Sequence, residues 1–369
     1  MFLKKTNFRT KRRVPKKNES SEKYSRLNTN LQKLKLNIDD RRIEIKLFDL
    51  YVTSKNSENI ISLKEAFLNQ KQIIRNSLNL SFKSITDLIP LHYKHVNNEM
   101  NFVCQMIDSL QEIEFLNIFS GPNLKSIYPI TAEARYSIVS WMFKFHTGFK
   151  AKHVTFELSI AIFDQFFIRK GVLDQVSIFK LAIASSLIAF KMEEISIPPI
   201  HSILKAIQSK VPKSDIIAFE FEIFKVLDFE VNIYTAGVYL KIYVLIGEVP
   251  NYKSVFEMSN LLIDISLTDI KLAGYPYSFI AAMAFCVSKF LINETPLRSD
   301  IWSQHCVFLT GIKWNDIEEM CDDLCENIKL VSFEAIEAIE ENENVILEKY
   351  SKNSKISSIF INQAHKLLI

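Results

Sequence analysis

Phe179-Lys-Leu-Ala-Ile-Ala-Ser-Ser-Leu-Ile-Ala-Phe-Lys-Met-Glu-Glu-Ile-Ser-Ile-Pro-Pro199 is the stretch whose reading decides the fold. Leu181, Ile183, Ala184, Leu187, Ile188 and Phe190 leave no polar stripe, so this helix is expected to be buried almost all round. Ala182, Ser185, Ser186 and Ala189 are small enough to let neighbouring helices approach closely. The run then ends in Lys191, Glu193 and Glu194, and Pro198-Pro199 prevents its simple continuation. A buried central helix that finishes in charge at the surface is a place for a binding site.

Helical segments surround it. Before it come Thr131 to Thr147 and Val154 to Arg169; after it, Pro199 to Gln208 and Pro212 to Leu227. Thr131, Asp174 and Ser196 suit N-caps, Pro212 suits a first turn, and Gly148 and Gly171 stand where helices should stop. A second series follows, Thr235 to Ile246, Tyr252 to Ile270, Pro276 to Ile292, Pro296 to Leu309 and Asn315 to Leu330. Its third member, around Ser278-Phe-Ile-Ala-Ala-Met-Ala-Phe-Cys-Val-Ser-Lys-Phe290, is again the alanine-rich one. Thr295-Pro296 reads as a cap followed by proline, and Asn315 with Glu318 as a capping box. The pattern is an all-α chain with a duplicated five-helix unit, preceded by a basic arm expected to be disordered.

Composition agrees. Hydrophobic residues make up 48% of the chain, with only 7 glycines and 10 prolines, which favours packed helices and short connections. Lys191, Lys241, Asp264 and Lys289 interrupt the best apolar runs, and Met1 to Arg13 lack the apolar core of a secretory signal. A soluble intracellular protein with no membrane segment is expected. The five cysteines are too sparse for a disulfide framework, and Cys321 with Cys325 lacks the second pair of a zinc ribbon, so no metal is expected. Residues 1–130 hold 22 Lys/Arg against 13 Asp/Glu, and the remainder holds 23 against 29. The basic part is thus the arm and the folded part is mildly acidic, which argues against nucleic acid as the partner.

Within the arm, residues 1–45, Lys11-Arg-Arg-Val-Pro-Lys-Lys17 has the form of a nuclear-import signal, or equally of a solvated basic tail. Residues 46–100 are an uncertain extension; Arg75 and Leu78 there have the spacing of a degradation signal read by a ubiquitin ligase, a pattern short enough to arise by chance. Residues 101–130 form a helix and linker closed by Gly121-Pro122, and residues 332–369 a final helix and tail.

No catalytic grouping stands out: there is no phosphate loop, GxSxG or HExxH, and no cofactor site. Two polar features within apolar helices require partners instead. Arg135 and Asp164 suit a buried ion pair between adjacent helices. Lys191 and Glu220 suit either a solvated pair or, with Met192, Phe224, Phe229 and Val231, the polar register of an apolar interface.

Arg135 to Trp141, Phe163-Asp-Gln-Phe-Phe167, Ala189-Phe-Lys-Met-Glu-Glu-Ile195, Pro198-Pro199, Phe219-Glu220 and Lys225-Val-Leu-Asp-Phe229 together resemble the cyclin box of mitotic, B-type cyclins. Leu267-Thr-Asp269, Tyr275 to Ala282 and Lys349-Tyr-Ser-Lys352 are similar to that family's second box and the sequence after it. The resemblance implies tandem boxes at residues 131–232 and 233–331. It implies no catalysis of the chain's own, and a cyclin-dependent serine/threonine kinase as partner, activated by positioning of its C helix at the G2/M transition, in nucleus and cytoplasm. It assigns kinase contact to Lys191, Glu220, Met192, Phe224, Phe229 and Val231, and the buried pair to Arg135 and Asp164. The family's substrate-docking patch falls on Ala134, Ser137, Trp141 and Lys144, where only the tryptophan is kept and one charge is reversed. The same fold also serves transcriptional cyclins and initiation factors of the IIB type, but the latter want a zinc ribbon and a basic second repeat, and neither is visible.

Overall fold

In the computed structural model, described residues are 71–73, 105–114, 130–171, 173–207, 211–247, 249, 251–293, 297, 300–337 and 360. All fall within one compact unit, 48–369. The motifs at Lys11 to Lys17 and at Arg75 to Leu78 lie outside the described residues.

Among the described residues the secondary structure is helical, with no strand. The first box comprises α1 (Ala132–Gly148), α2 (His153–Lys170), α3 (Gln175–Glu193), α4 (Ile200–Ala206) and α5 (Lys213–Val226). The second comprises α6 (Ala236–Ile246), α7 (Tyr252–Thr268), α8 (Tyr277–Asn293), α9 (Gln304–Thr310) and α10 (Trp314–Glu337), with a single 3-10 turn at Leu272–Gly274 before α8.

Capping explains several of these bounds. The Thr131 hydroxyl accepts from the Ala134 N–H at 3.2 Å, and the Asp174 carboxylate accepts from the N–H groups of Val176 and Ser177 at 2.9 and 3.0 Å. Gly171, at φ +87°, closes α2 by donating to Phe167 O. Three of the expected boundaries are corrected. Ser196 caps nothing, because Pro198-Pro199 keeps the chain extended until Ile200, and Pro199 occupies the capping position. The described fourth helix of the second box starts at Gln304, with the Ser303 hydroxyl as its cap, later than expected; Thr295-Pro296 lies outside the described residues. Asn315 and Glu318 do not cap α10, which begins at Trp314; instead Asp316 reaches back and accepts from the Lys313 N–H at 2.7 Å.

The helix α3 is buried continuously from Leu181 to Phe190, with α1, α2 and α5 packed against it. By length and composition alone it could cross a bilayer, contrary to the expectation from Lys191; that apolarity is accounted for by its three helical neighbours. Helix α2 is buried as thoroughly, from Thr155 to Phe167, although Glu157, Asp164 and Gln165 lie within that run. In the second box α8 takes the central place, against α6, α7 and α10. The boxes meet where α2 packs on α6 and α1 on α7.

Residues 105–114 are helical and precede the first box, yet the second box holds them. Tyr239 donates to Leu110 O at 2.9 Å, Gln111 Nε2 donates to Thr310 O at 2.9 Å, and Glu114 accepts from the Ser278 N–H at 2.8 Å. The buried Lys71 meets Asp108 at 2.5 Å and also reaches Gln111. Burial pushes the Glu114 carboxyl up to about 7, against the pull of its bonds to Ser278 and Tyr239.

Candidate functional site

The end of α3 and the middle of α5 pack side by side, and this brings Lys191 Nζ within 2.5 Å of Glu220 Oε1. The two ends differ in environment: half of the Lys191 side chain is open to solvent, against 10% of Glu220. Glu220 follows the buried Ile216 by one turn and precedes the buried Ile223, so the helix turns its carboxylate toward α3. An ammonium has three donors and Glu220 takes one, leaving the pair able to bond a main chain brought against it.

Apolar side chains border this pair. Met192 is 45% exposed and Phe229 68% exposed; Phe229 stacks on the half-buried Phe224 at 5.8 Å between centroids. Asp228 and Phe229 both adopt left-handed backbone angles, φ +50° and +64°, which cost a β-carbon residue about 1–2 kcal/mol each. A Phe229 N–H to Phe224 O bond of 2.8 Å holds that turn and keeps the ring at the surface. Val231, by contrast, is buried, so its place is support beneath the surface.

Sequence reasoning missed four further members of this edge. Ile195, Ile197, Ile217 and Phe221 are exposed, Ile195 fully so. Ile217, Glu220, Phe221 and Phe224 recur at i, i+3, i+4 and i+7, a single side of α5, and Lys225 Nζ lies 4.4 Å over the Phe221 ring. That spacing was available in the sequence. Ile195 and Ile197 lie in the bent, non-helical stretch between the end of α3 and the prolines.

Glu194 fixes where that stretch begins. Adjacent to Glu193, it turns inward to cap α2: it accepts from the Lys152 N–H at 2.7 Å and from the Thr155 hydroxyl at 2.6 Å. Lys152 Nζ donates in turn to Glu193 O at 2.5 Å. Partial burial works against the charge of Glu194, but the Thr155 and Lys152 bonds and the Lys152 charge outweigh it and hold the carboxyl below the usual glutamate range. A depressed folded value means that Glu194 adds stability above the unfolded value of ~4.3 and loses it as pH falls through the folded one. Glu194→Ala is therefore expected to be less stable than the parent near neutrality, with the gap closing on acidification. Thermal melts over an acid series check this, and a gap independent of pH would count against the trans-cap.

The remaining predicted residues lie elsewhere. Arg135 and Asp164 form a buried bidentate pair, at 2.7 and 2.9 Å, and Arg135 also donates to Leu267 O in the second box at 3.0 Å. Ala134, Ser137, Trp141 and Lys144 share one side of α1, with Lys144 exposed. Trp141 is half-buried against Phe145 and Phe179, at 5.4 and 4.9 Å, and the Ser137 hydroxyl is turned back to Glu133 O. Cys286, Cys306 and Cys321 are buried free thiols, and burial pushes those of Cys286 and Cys321 up.

Two tandem all-helical boxes thus carry, at one edge, a charged pair framed by exposed apolar side chains. The cyclin N-terminal domain matches residues 105–232 and the cyclin C-terminal domain residues 234–361; the chain belongs to the cyclin family. Relatives include cyclin-B2-2 of Arabidopsis thaliana, 20% identical over 60% of this chain and 50% of that one. G2/mitotic-specific cyclin-4 of Saccharomyces cerevisiae is 28% identical over 55% and 42%, and G2/mitotic-specific cyclin-B2 of Macaca fascicularis 24% over 70% and 62%. The chain thus spans about half the length of the curated relatives it matches. A viral cyclin from herpesvirus saimiri shares the fold, with a TM-score of 0.51 at 17% identity, over 60% of this chain and 97% of that one.

Proposed function

We propose that this chain is the regulatory subunit of a cyclin-dependent serine/threonine protein kinase, acting at the G2/M transition, and that it supplies no catalytic group itself. The observation that carries the reading is the emergence of Lys191 and Glu220 side by side within an exposed apolar edge. Full burial of a large apolar side chain is worth about 1.5–3 kcal/mol. Scaled by how far each is exposed, Met192, Ile195, Ile197, Ile217, Phe221 and Phe229 together offer roughly 5–11 kcal/mol, the same order as the ~4–15 kcal/mol that association costs. The charged pair adds register: its donors and acceptor fit the main chain of a kinase segment, and the apolar edge would press the kinase C helix inward to complete the site for phosphoryl transfer. The G2/mitotic names of the relatives support the phase of action.

Reconstitution with cyclin-dependent kinases of the same cell tests the proposal. A stable heterodimer and phosphorylation of a serine/threonine substrate, dependent on this chain, are expected. Absence of both with every such kinase would overturn it.

A further inference from the structure

A second charged cluster lies between the boxes, away from the docking edge. His153 is the first residue of α2, and its side chain is about one-fifth exposed. Its Nδ1 stands 2.6 Å from Glu157 Oε1 in the same helix, and its Nε2 stands 2.7 Å from Asp264 Oδ1 in α7. Glu157 Oε2 in turn accepts from the Gly237 N–H at the start of α6 at 2.7 Å. A β-carbon at Gly237 would come within 2.6 Å of Glu157 Oε1, so glycine permits this approach. Helices α2, α6 and α7 thus converge on one imidazole and its two acids.

The surroundings favour the charged ring. Two carboxylates stand at ion-pair distance from its two nitrogens, although Nε2 and the facing Glu157 Oε1 and Asp264 Oδ1 do not line up as hydrogen bonds, so the attraction is of charge for charge. Burial opposes that charge, but the charges of Asp264 and Glu157 outweigh it and push His153 up to about 10.

We propose that His153 is an ion-pair clasp between the two boxes, joining Glu157 of α2 to Asp264 of α7. Through it the second box sets the start of α2 and, by way of Lys152, Thr155 and Glu194, the end of α3 that carries the docking edge. The first half stands on the cluster alone; the second rests on the docking reading above. Lys152 immediately precedes His153 and Thr155 lies two residues after it, and both bond Glu194, two residues from Met192.

Other charged and titratable groups surround the clasp. Asp164 of α2 is bound by Arg135 of α1. Tyr277 of α8 is pushed up by burial and by Asp164, Glu114 and Glu157, with Arg135 pulling the other way. Glu114 of the 105–114 segment, raised to about 7, takes up a proton on acidification in every variant considered, so it cancels from a comparison with the parent.

The test uses the full chain. Replacing His153 by Leu leaves Glu157 and Asp264 without their shared cation, and folding then favours uptake of a proton by the pair. Below about pH 6.5 histidine is protonated in the unfolded chain as well, so the parent draws no slope from His153 there. The stability deficit of His153→Leu relative to the parent is therefore expected to narrow between about pH 6.5 and about pH 5, whereas His153→Arg, which keeps a cation, shows a small deficit without that slope. A His153→Leu deficit that is constant across the window means ordinary packing and overturns the clasp. Should His153→Leu fail to fold, His153→Leu with Asp264→Leu removes the repulsion and is expected to fold; equal failure of the double variant overturns the clasp too.

Kinase binding by the same variants tests the second half. His153→Leu is expected to weaken binding roughly tenfold, about 1.4 kcal/mol, and His153→Arg to stay near the parent. Parent affinity in His153→Leu, with the pH signature present, overturns the link to the docking edge. A parent that binds no kinase sinks the docking reading and with it that link, while the pH comparison still decides the clasp.

Discussion

Lys191→Glu is expected to lower affinity for the proposed kinase partner by roughly a hundredfold or more, about 2.7 kcal/mol, with the fold intact. The substitution removes a three-donor cation and places a second carboxylate beside Glu220, which is only 10% exposed and so poorly screened. The fold is expected to survive the change, because position 191 is half exposed and the new carboxylate can turn into solvent away from Glu220. Titration calorimetry with the kinase, beside a thermal melt of the free chain, separates the two. The charge-swapped Lys191→Glu, Glu220→Lys variant sharpens the result: it restores the pair within the chain but presents donors and acceptor in exchanged places, so affinity stays low. Recovery of parent affinity by the swap, or loss of less than about twofold in the single variant, would show that the pair makes no contact with the kinase.

The largest expected effect on stability comes from Arg135→Leu, at about 3–5 kcal/mol. The guanidinium is fully buried, so its loss strands Asp164 as a buried charge and takes a donor from Leu267 O in the other box. For a folded unit of this size the melting midpoint falls by roughly 6–20 °C. Adding Asp164→Leu recovers much of the loss, because two apolar side chains fill the place of the ions without a stranded charge. Since Arg135 reaches across the boxes, both should melt together in a single transition. A second, unshifted transition would show that the boxes are energetically separate.

Much of the fold was legible because its signals are local. Thr131 and Asp174 cap helices through their own side chains, Gly171 stops one, and the apolar run from Leu181 to Phe190 announces a central helix. Three signals misled for physical reasons. A helix running on to Leu309 was expected to begin well before residue 300, but the Ser303 hydroxyl accepts from the Cys306 N–H and α9 begins just after it, at Gln304. Ser196 looked like a cap, but two following prolines hold the backbone extended. Asn315 and Glu318 have the spacing of a capping box, but α10 begins at Trp314, and it is Asp316 that reaches back, to the Lys313 N–H.

At the docking site the two charges and Phe229 could be picked out, and the i, i+3, i+4, i+7 spacing of Ile217, Glu220, Phe221 and Phe224 could have extended the edge. Contacts between distant segments could not be read. His153 and Glu157 are one turn apart and visibly a pair, but Asp264 lies more than a hundred residues on, and no periodicity links them. Glu194 presented the same difficulty at shorter range: only the packing of α2 on α3 reveals that it caps a neighbour's terminus.

The helix at 105–114 has a consequence for the birth of the molecule. Its partners Tyr239, Ser278 and Thr310 come 129, 164 and 199 residues after the groups they bond. At about 5–20 residues per second, a ribosome makes Gln111 roughly 10–40 s before it makes Thr310. Throughout that interval Ile107 and Leu110 have no second box to cover them, and the nascent first box lacks both Leu267 O for Arg135 and Asp264 for His153. Synthesis of this chain thus passes through an open, sticky intermediate that closes only when α9 emerges, which makes the growing polypeptide a natural client for chaperones.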